Sequence, residues 1–263
     1  MQNLRTYGKP PFSVAAIHGG PGAGGEMAPM AKELAGDYGV LEPIQTAITL
    51  EGQVQELRQI LETHAQPPVT LIGFSWGAWL SLIVATRYPV LIKKLVLAGC
   101  GPLEEKHVPL LQKTRLNRLD AGEKNEFEKI LKALNNPAAK NKNLLLNRLG
   151  QLASKSDNYD ALPDQTNEKD RIRPRGDIFQ NVWEAAAKLR KSGKLLELAG
   201  QVQCPVVAIH GAYDPHPAEG VEKPLSAVLK NFRFVVLEKC GHTPWLERQA
   251  HEKFYQVLKT ELT

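Results

Sequence analysis

The sequence predicts an α/β fold: a mostly parallel sheet of about six strands, flanked by helices and interrupted by a helical insertion. Three observations predict it. Short apolar runs alternate with helix-period segments through most of the chain. The connections are short, which implies right-handed crossovers between parallel strands. The strand pattern vanishes between about 103 and 195 and then returns. Residues 1–102 and 196–263 are therefore expected to form the core, and 103–195 the insertion.

Phe12–Ile17 is the first clear strand, and Met27–Ala35 is a short helix closed by Gly36. Val40–Ile44 reads as a second strand, restricted by Pro43 to an edge or a strand end. Val54–His64 has helical periodicity, and Gln66-Pro67-Pro68 ends it. Val69–Ile72 is a short buried strand and Trp76–Tyr88 a helix, with Lys94–Ala98 a further strand. Helices are expected at Pro109–Leu119, Glu123–Leu134, Asn143–Ala153 and Asp177–Lys191, separated by a polar stretch at 154–176. Strands return at Pro205–Ile209 and Phe232–Leu237, and a helix over Arg248–Leu258 closes the pattern.

Composition narrows the function classes. With 43% hydrophobic and 23% charged residues, the chain has the material for a globular core. No apolar run approaches the roughly 18–20 residues of a membrane span, and MQNLRTYGKPPF has no apolar segment of the signal-peptide kind, so a cytoplasmic protein is expected. Cys100, Cys204 and Cys240 are odd in number and form no CxxC pair, which predicts free, buried thiols. The net charge of +5 is concentrated: 19 Lys and Arg face 13 Asp and Glu between 101 and 195, while the rest of the chain is at −1. Aromatics are not interleaved with these basic residues, so nucleic acid is not an expected partner. A solvated helical face accounts for the surplus. Nothing in the sequence sets an oligomeric state.

Chemistry enters at Gly73-Phe74-Ser75-Trp76-Gly77, a G-x-S-x-G pattern at a strand-to-helix junction. Ser75 caps the helix or is a nucleophile held in a strained turn above the sheet. A serine nucleophile needs a general base, and that base needs an orienting acid. Asp214 and His242 each follow a later strand, beyond the carboxyl end where open α/β sheets place their sites, and the chain order is Ser, Asp, His. His18-Gly19-Gly20-Pro21-Gly22 follows the first strand and presents little except backbone. The N–H groups of Trp76 and Gly20, with Gly19 as the alternative to Gly20, are the expected oxyanion-hole donors.

His18 reads as support for the glycine loop. His216, flanked by Pro215 and Pro217, has no partners at ligand spacing, so no metal site is expected. Trp76 and Trp79 are candidates to line a pocket, with Trp79 favouring the core. Glu104 and Glu105 follow the strand ending near 98 and rank below Asp214 as the acid. Arg171, Arg173 and Arg175 would meet a substrate carboxylate only if folded inward; solvent exposure is expected.

These four motifs, His18-Gly19-Gly20-Pro21-Gly22, Gly73-Phe74-Ser75-Trp76-Gly77, Gly211-Ala212-Tyr213-Asp214 and Gly241-His242, together resemble the α/β-hydrolase superfamily over almost the whole chain. The first two look most like the proline iminopeptidase branch. The resemblance implies a serine hydrolase whose segment 103–195 is a helical cap, or lid. Only about eleven residues precede the first strand, so the leading antiparallel strands are expected to be largely absent. The aminopeptidases of that branch hold a substrate ammonium with cap acids; no such motif is matched in 103–195. The expected activity is therefore acyl transfer from a small-molecule ester or amide to water, without metal or organic cofactor. A proline iminopeptidase-type aminopeptidase, a non-catalytic ligand receptor on the same fold and, more weakly, a carbon–carbon bond hydrolase are the alternatives.

Overall fold

A computed structural model describes residues 3–136, 138–163 and 172–263. Seven strands form one sheet: β1 Leu4–Tyr7, β2 Phe12–Ile17, β3 Gly39–Pro43, β4 Val69–Phe74, β5 Ile92–Ala98, β6 Val206–Gly211 and β7 Phe232–Leu237. Their spatial order is β1-β3-β2-β4-β5-β6-β7, and every pair is parallel except β1 with β3. The expectation of about six strands falls one short. Four residues, LRTY, suffice for the leading antiparallel strand because β1 is an edge that needs only one ladder, from Leu4 opposite Pro43 to Tyr7 opposite Val40. Pro43 ends β3, the place a residue without an N–H can occupy.

Burial explains the lack of alternation in the central strands. Every residue of β3, β4 and β6 is buried, as expected for parallel strands covered on both faces. The edge strand β7 is mostly half-exposed. On one face, α1 Ala28–Leu34 and α10 His251–Leu262 contribute Met30, Leu34, Phe254 and Leu258 to an apolar cluster with Val14, Ile72 and Val96. On the other, α2 Leu50–His64 and α3 Trp76–Arg87 pack Leu57, Leu61, Leu80 and Ile83 against Leu71 and Leu95. Helix α3 is apolar all round because its residues Trp76–Ala85 are all buried, between the sheet and the outer helices. The three cysteines are free, and Cys100 and Cys240 are buried.

Between β5 and β6 lie α4 Val108–Asn117, α5 Ala121–Leu134, α6 Lys142–Asp157, α7 Gly176–Lys191 and α8 Lys194–Ala199. Asp120 and Glu123 start α5 with reciprocal side-chain caps. Helices α5 and α6 bury Phe127, Ile130, Leu134, Leu146, Leu149 and Leu152 in a small cluster of their own. Helix α7 instead sends Ile178, Val182 and Ala186 into the core beneath the sheet. Helix α9, Glu219–Val228, was not evident from the sequence because Pro224 sits inside it. No helix among the described residues is long and apolar enough to cross a membrane.

Candidate active site

Ser75 occupies the turn between β4 and α3 at φ 51°, ψ −112°, a conformation that L-residues rarely adopt. Its hydroxyl makes no capping hydrogen bond to α3, so the capping role is not the one it plays. The turn is held by backbone: Ser75 N–H donates to the Ala98 carbonyl at 3.0 Å, and Ala78 N–H donates to the Ser75 carbonyl at 3.1 Å. A Cβ at Gly77 would lie 2.3 Å from the Ile17 carbonyl oxygen, so only glycine lets α3 approach β2 this closely. The Trp76 N–H falls in the first turn of α3, where amides lack intrahelical acceptors.

Beyond the ends of β6 and β7 two loops are zipped together, with Tyr213 N–H donating to the Cys240 carbonyl at 2.8 Å. They bring Asp214 and His242 into contact: His242 Nδ1 lies 2.7 Å from Asp214 Oδ2. The His242 ring also packs on Phe74, the residue before Ser75, with centroids 4.8 Å apart. Burial works against a charged Asp214, yet the surrounding histidines His242, His216 and His210 hold it well below the usual carboxylate range. Burial likewise disfavours a charged His242, but the Asp214 charge and hydrogen bond, aided by Asp157, raise it above its ordinary value. Glu104 and Glu105 are engaged elsewhere, Glu104 with Lys106 and Glu105 with Arg190.

The glycine loop is organised from below. His18 is fully buried, its Nδ1 2.6 Å from the Gly19 carbonyl and its Nε2 accepting from Gln45 N–H at 3.2 Å. Burial pushes it down to about 4, so it is neutral and structural. The Gly19 N–H donates to Glu26 at 2.6 Å and is already committed, while Gly20 and Gly22 of the same loop both have left-handed backbone, at φ 28° and 77°. Burial pushes Glu26 up to about 7. The helical segment touches this loop as well, with Arg175 N–H donating to the Gly22 carbonyl at 2.8 Å.

The tryptophans face inward. Trp76 donates from its indole to Gln53 at 3.1 Å and Trp79 to the Gly101 carbonyl at 3.1 Å, and Trp79 stacks on Trp183. Of the arginines singled out by sequence, Arg175 pairs with Asp177 and Arg173 is exposed, while Arg171 lies outside the described residues. Arg115 does approach the site, and it grips the buried Asp157 carboxylate with two nitrogens. The Asp157 carbonyl in turn accepts the His242 N–H at 2.8 Å, so α6 holds the loop that carries His242. Glu247 braces the same loop from below, accepting N–H groups of Tyr159, Asp160 and Gly241 at 2.7, 2.8 and 2.8 Å.

His216, which the sequence offered only as a metal ligand without partners, belongs to this group. Its Nδ1 lies 2.6 Å from Asp214 Oδ1, and its ring stacks on His242 with centroids 4.3 Å apart. A signal existed: an aspartate at the head of a turn accepts the N–H two residues on, and His216 N–H donates to Asp214 Oδ1 at 2.9 Å. No comparable signal pointed to Glu26, Glu247 or the Arg115–Asp157 pair. Asp214, His216 and His242 bring potential ligand atoms within 4.8 Å of one another. Their N···O separations of 2.6 and 2.7 Å suit a shared proton; two donors each about 2.0–2.2 Å from one tetrahedral ion sit farther apart. Two surface hollows, by Leu196 and Val228 and by Asn125 and Leu145, share no residue with this group.

Comparison with known proteins agrees with this architecture. VinJ aligns with a TM-score of 0.67 and 19% identity over 98% of this chain and 93% of its own. The proline iminopeptidase of Mycobacterium smegmatis aligns at 0.63 and 16% over 98% and 93%. E-2-(Acetamidomethylene)succinate hydrolase aligns at 0.62 and 17% over 98% and 93%. In sequence, Ethanol acetyltransferase 1 of Cyberlindnera fabianii is 26% identical over 105 residues, which span 36% of this chain and about a third (31%) of that protein. The family model described as the alpha/beta hydrolase fold matches residues 21–249, and the chain belongs to that family.

Proposed function

We propose that this protein is a serine hydrolase that cleaves a small ester or amide by acyl transfer. The observation that carries the reading is the pairing of a strained, uncapped Ser75 with a His242–Asp214 hydrogen bond packed against the residue beside it. In this reading His242 takes the proton from the Ser75 hydroxyl as that oxygen attacks the acyl carbon. Asp214 accepts from Nδ1 and stabilises the imidazolium that forms. The N–H groups of Trp76 and Gly20 receive the developing oxyanion. His242 then returns the proton to the leaving group, and a water deprotonated by His242 releases the acyl group. Residues 103–195 act as the cap, since α6 supplies the backbone acceptor for His242 and Arg175 closes on the glycine loop.

The aminopeptidase alternative needs acids free to hold an ammonium. Among the described residues, the acids around this site are engaged: Asp157 by Arg115, Glu247 by three backbone amides and Glu26 by the Gly19 amide. That favours an ester or an uncharged amide. Delivery of the acyl group to an alcohol rather than to water is the second reading, favoured by the partial likeness to Ethanol acetyltransferase 1. An ethyl ester formed when ethanol is added to a p-nitrophenyl acetate assay would identify it.

The test is covalent labelling with a fluorophosphonate probe. Ser75 is expected to carry the adduct, and Ser75→Ala to abolish it. Labelling that persists in Ser75→Ala, or none in the wild type, removes the proposal, and a receptor without catalysis gives the second result.

A further inference from the structure

Asp214 serves two imidazoles, and only one of them has a place in the mechanism above. We propose that His216 is a positioning residue for the triad: it holds one oxygen of Asp214 so that the other is aimed at His242. The inference rests on the serine hydrolase reading.

The geometry is asymmetric in a way that assigns the roles. Asp214 Oδ1 receives both the backbone N–H of His216 at 2.9 Å and the His216 ring at Nδ1, 2.6 Å. Oδ2 receives His242 at 2.7 Å. With both His216 contacts on Oδ1, the carboxylate cannot rotate about its last bond without losing two hydrogen bonds. The tautomers follow from the partners. An ionised carboxylate only accepts, so the proton of a neutral His216 sits on Nδ1. Behind it, His210 Nε2 donates to the His216 carbonyl at 2.8 Å, which fixes the backbone from which the ring projects.

The two imidazoles are also driven apart electrically. Burial pushes His216 down to about 4 against the pull of Asp214, so it is neutral where His242 works. His242 moves the other way, its Asp214 partner outweighing burial. Such separation within one cluster marks distinct roles. The charged and titratable groups facing the pair are Asp214, Asp157 and Arg115, with Glu26 near His242 and His210 near Asp214. Against that constant background, the His216 N–H withdraws charge from the carboxylate. Its removal leaves Asp214 more basic and raises His242 with it, so the neutral, proton-accepting form of His242 appears only at higher pH.

The experiment measures the rate of fluorophosphonate reaction at Ser75 as a function of pH, because that rate follows the neutral fraction of His242 without needing the natural substrate. His216→Phe keeps a stacked ring and deletes the donor. His216→Asn keeps a donor at the position of Nδ1 and deletes the ring. The expected result is an acid limb moved upward by about half to one pH unit in His216→Phe and a wild-type limb in His216→Asn. His216→Ala, also donorless, is expected to move with His216→Phe and stands in if the phenylalanine is not accommodated. A lower rate at every pH with an unmoved limb in the donorless variants is what a merely structural residue gives, and it overturns the inference. A shift in His216→Asn equal to that in His216→Phe overturns it too. A wild-type protein that never labels at Ser75 overturns the hydrolase reading itself, which separates the two failures.

Discussion

Two neighbouring strands, β5 and β6, each end in a loop that offers acids, and the loops could hardly be treated more differently. After β5, Glu104 and Glu105 are partly exposed, with 35% and 48% of their side chains in solvent, and each answers a nearby cation. After β6, the Asp214 side chain is 0% exposed and answers His216 and His242. The solvent-exposed Glu104–Lys106 pair is worth about 0–1 kcal/mol, and water can replace either partner; Glu105 also reaches solvent, although its partner Arg190 is itself buried. A buried carboxylate cannot lose its donors without leaving a charge in a dry site, where breaking one partnership costs several kcal/mol. The lesson is that position at the carboxyl edge of a sheet nominates an acid, while burial with oriented donors decides which one is held against a histidine.

The comparison can be broken experimentally, beginning with its largest consequence. Asp214→Asn keeps the size of the side chain but disrupts the tautomer of His242; turnover is expected to fall on the order of 10⁴-fold with the fold retained, as read by steady-state kinetics beside circular dichroism. A near-wild-type rate would return Glu104 or Glu105 to consideration. Next comes Arg115→Met, which strands the buried Asp157. A loss of about 3 kcal/mol in urea unfolding is expected, together with a lower labelling rate, because Asp157 also holds the His242 backbone. Burial opposes a charged Asp157, but the Arg115 guanidinium beside it holds its carboxyl below the usual carboxylate range in the folded state. The pair's contribution should therefore be complete above the unfolded carboxyl pKa of ~3.9 and fade as pH falls through the lower folded value. Smallest of all, Glu104→Gln is expected to change stability by less than about 0.5 kcal/mol and activity not measurably. A larger effect would mean the β5 loop does more than meet solvent.

The same contrast separates what sequence could show from what it could not. Ser75, Asp214 and His242 were legible because each sits where a local apolar run stops, and a sheet brings strand ends together whatever the loops contain. Helices α4 to α7 were legible within a few residues, since their periodicity is local, while the six-residue α8 was too short to show one. Strand β1 is too short for a pattern, and Pro224 broke the one that would have revealed α9. The partners that tune the site were out of reach for another reason. Arg115 and Asp157 are 42 residues apart, and Tyr159 and Glu247 are 88 apart. Such contacts depend on how α4 and α6 pack and on where the chain after α6 crosses the His242 loop, and no short window of sequence encodes either. Only His216 was within reach, two residues from an aspartate already singled out.

One backbone contact has a mechanical consequence. Gly77 lets α3 rest directly on the end of β2, with the Ile17 and His18 carbonyl oxygens 2.3 and 2.6 Å from where a Cβ would be. The spacing between the start of α3 and the end of β2 is therefore set by the radii of main-chain atoms touching one another, not by side-chain rotamers. Thermal motion of neighbouring side chains, or repacking by substitution in the surrounding core, has little leverage on that gap. It works as a gauge block, holding the α3 end of the serine turn and the end of β2 at one separation.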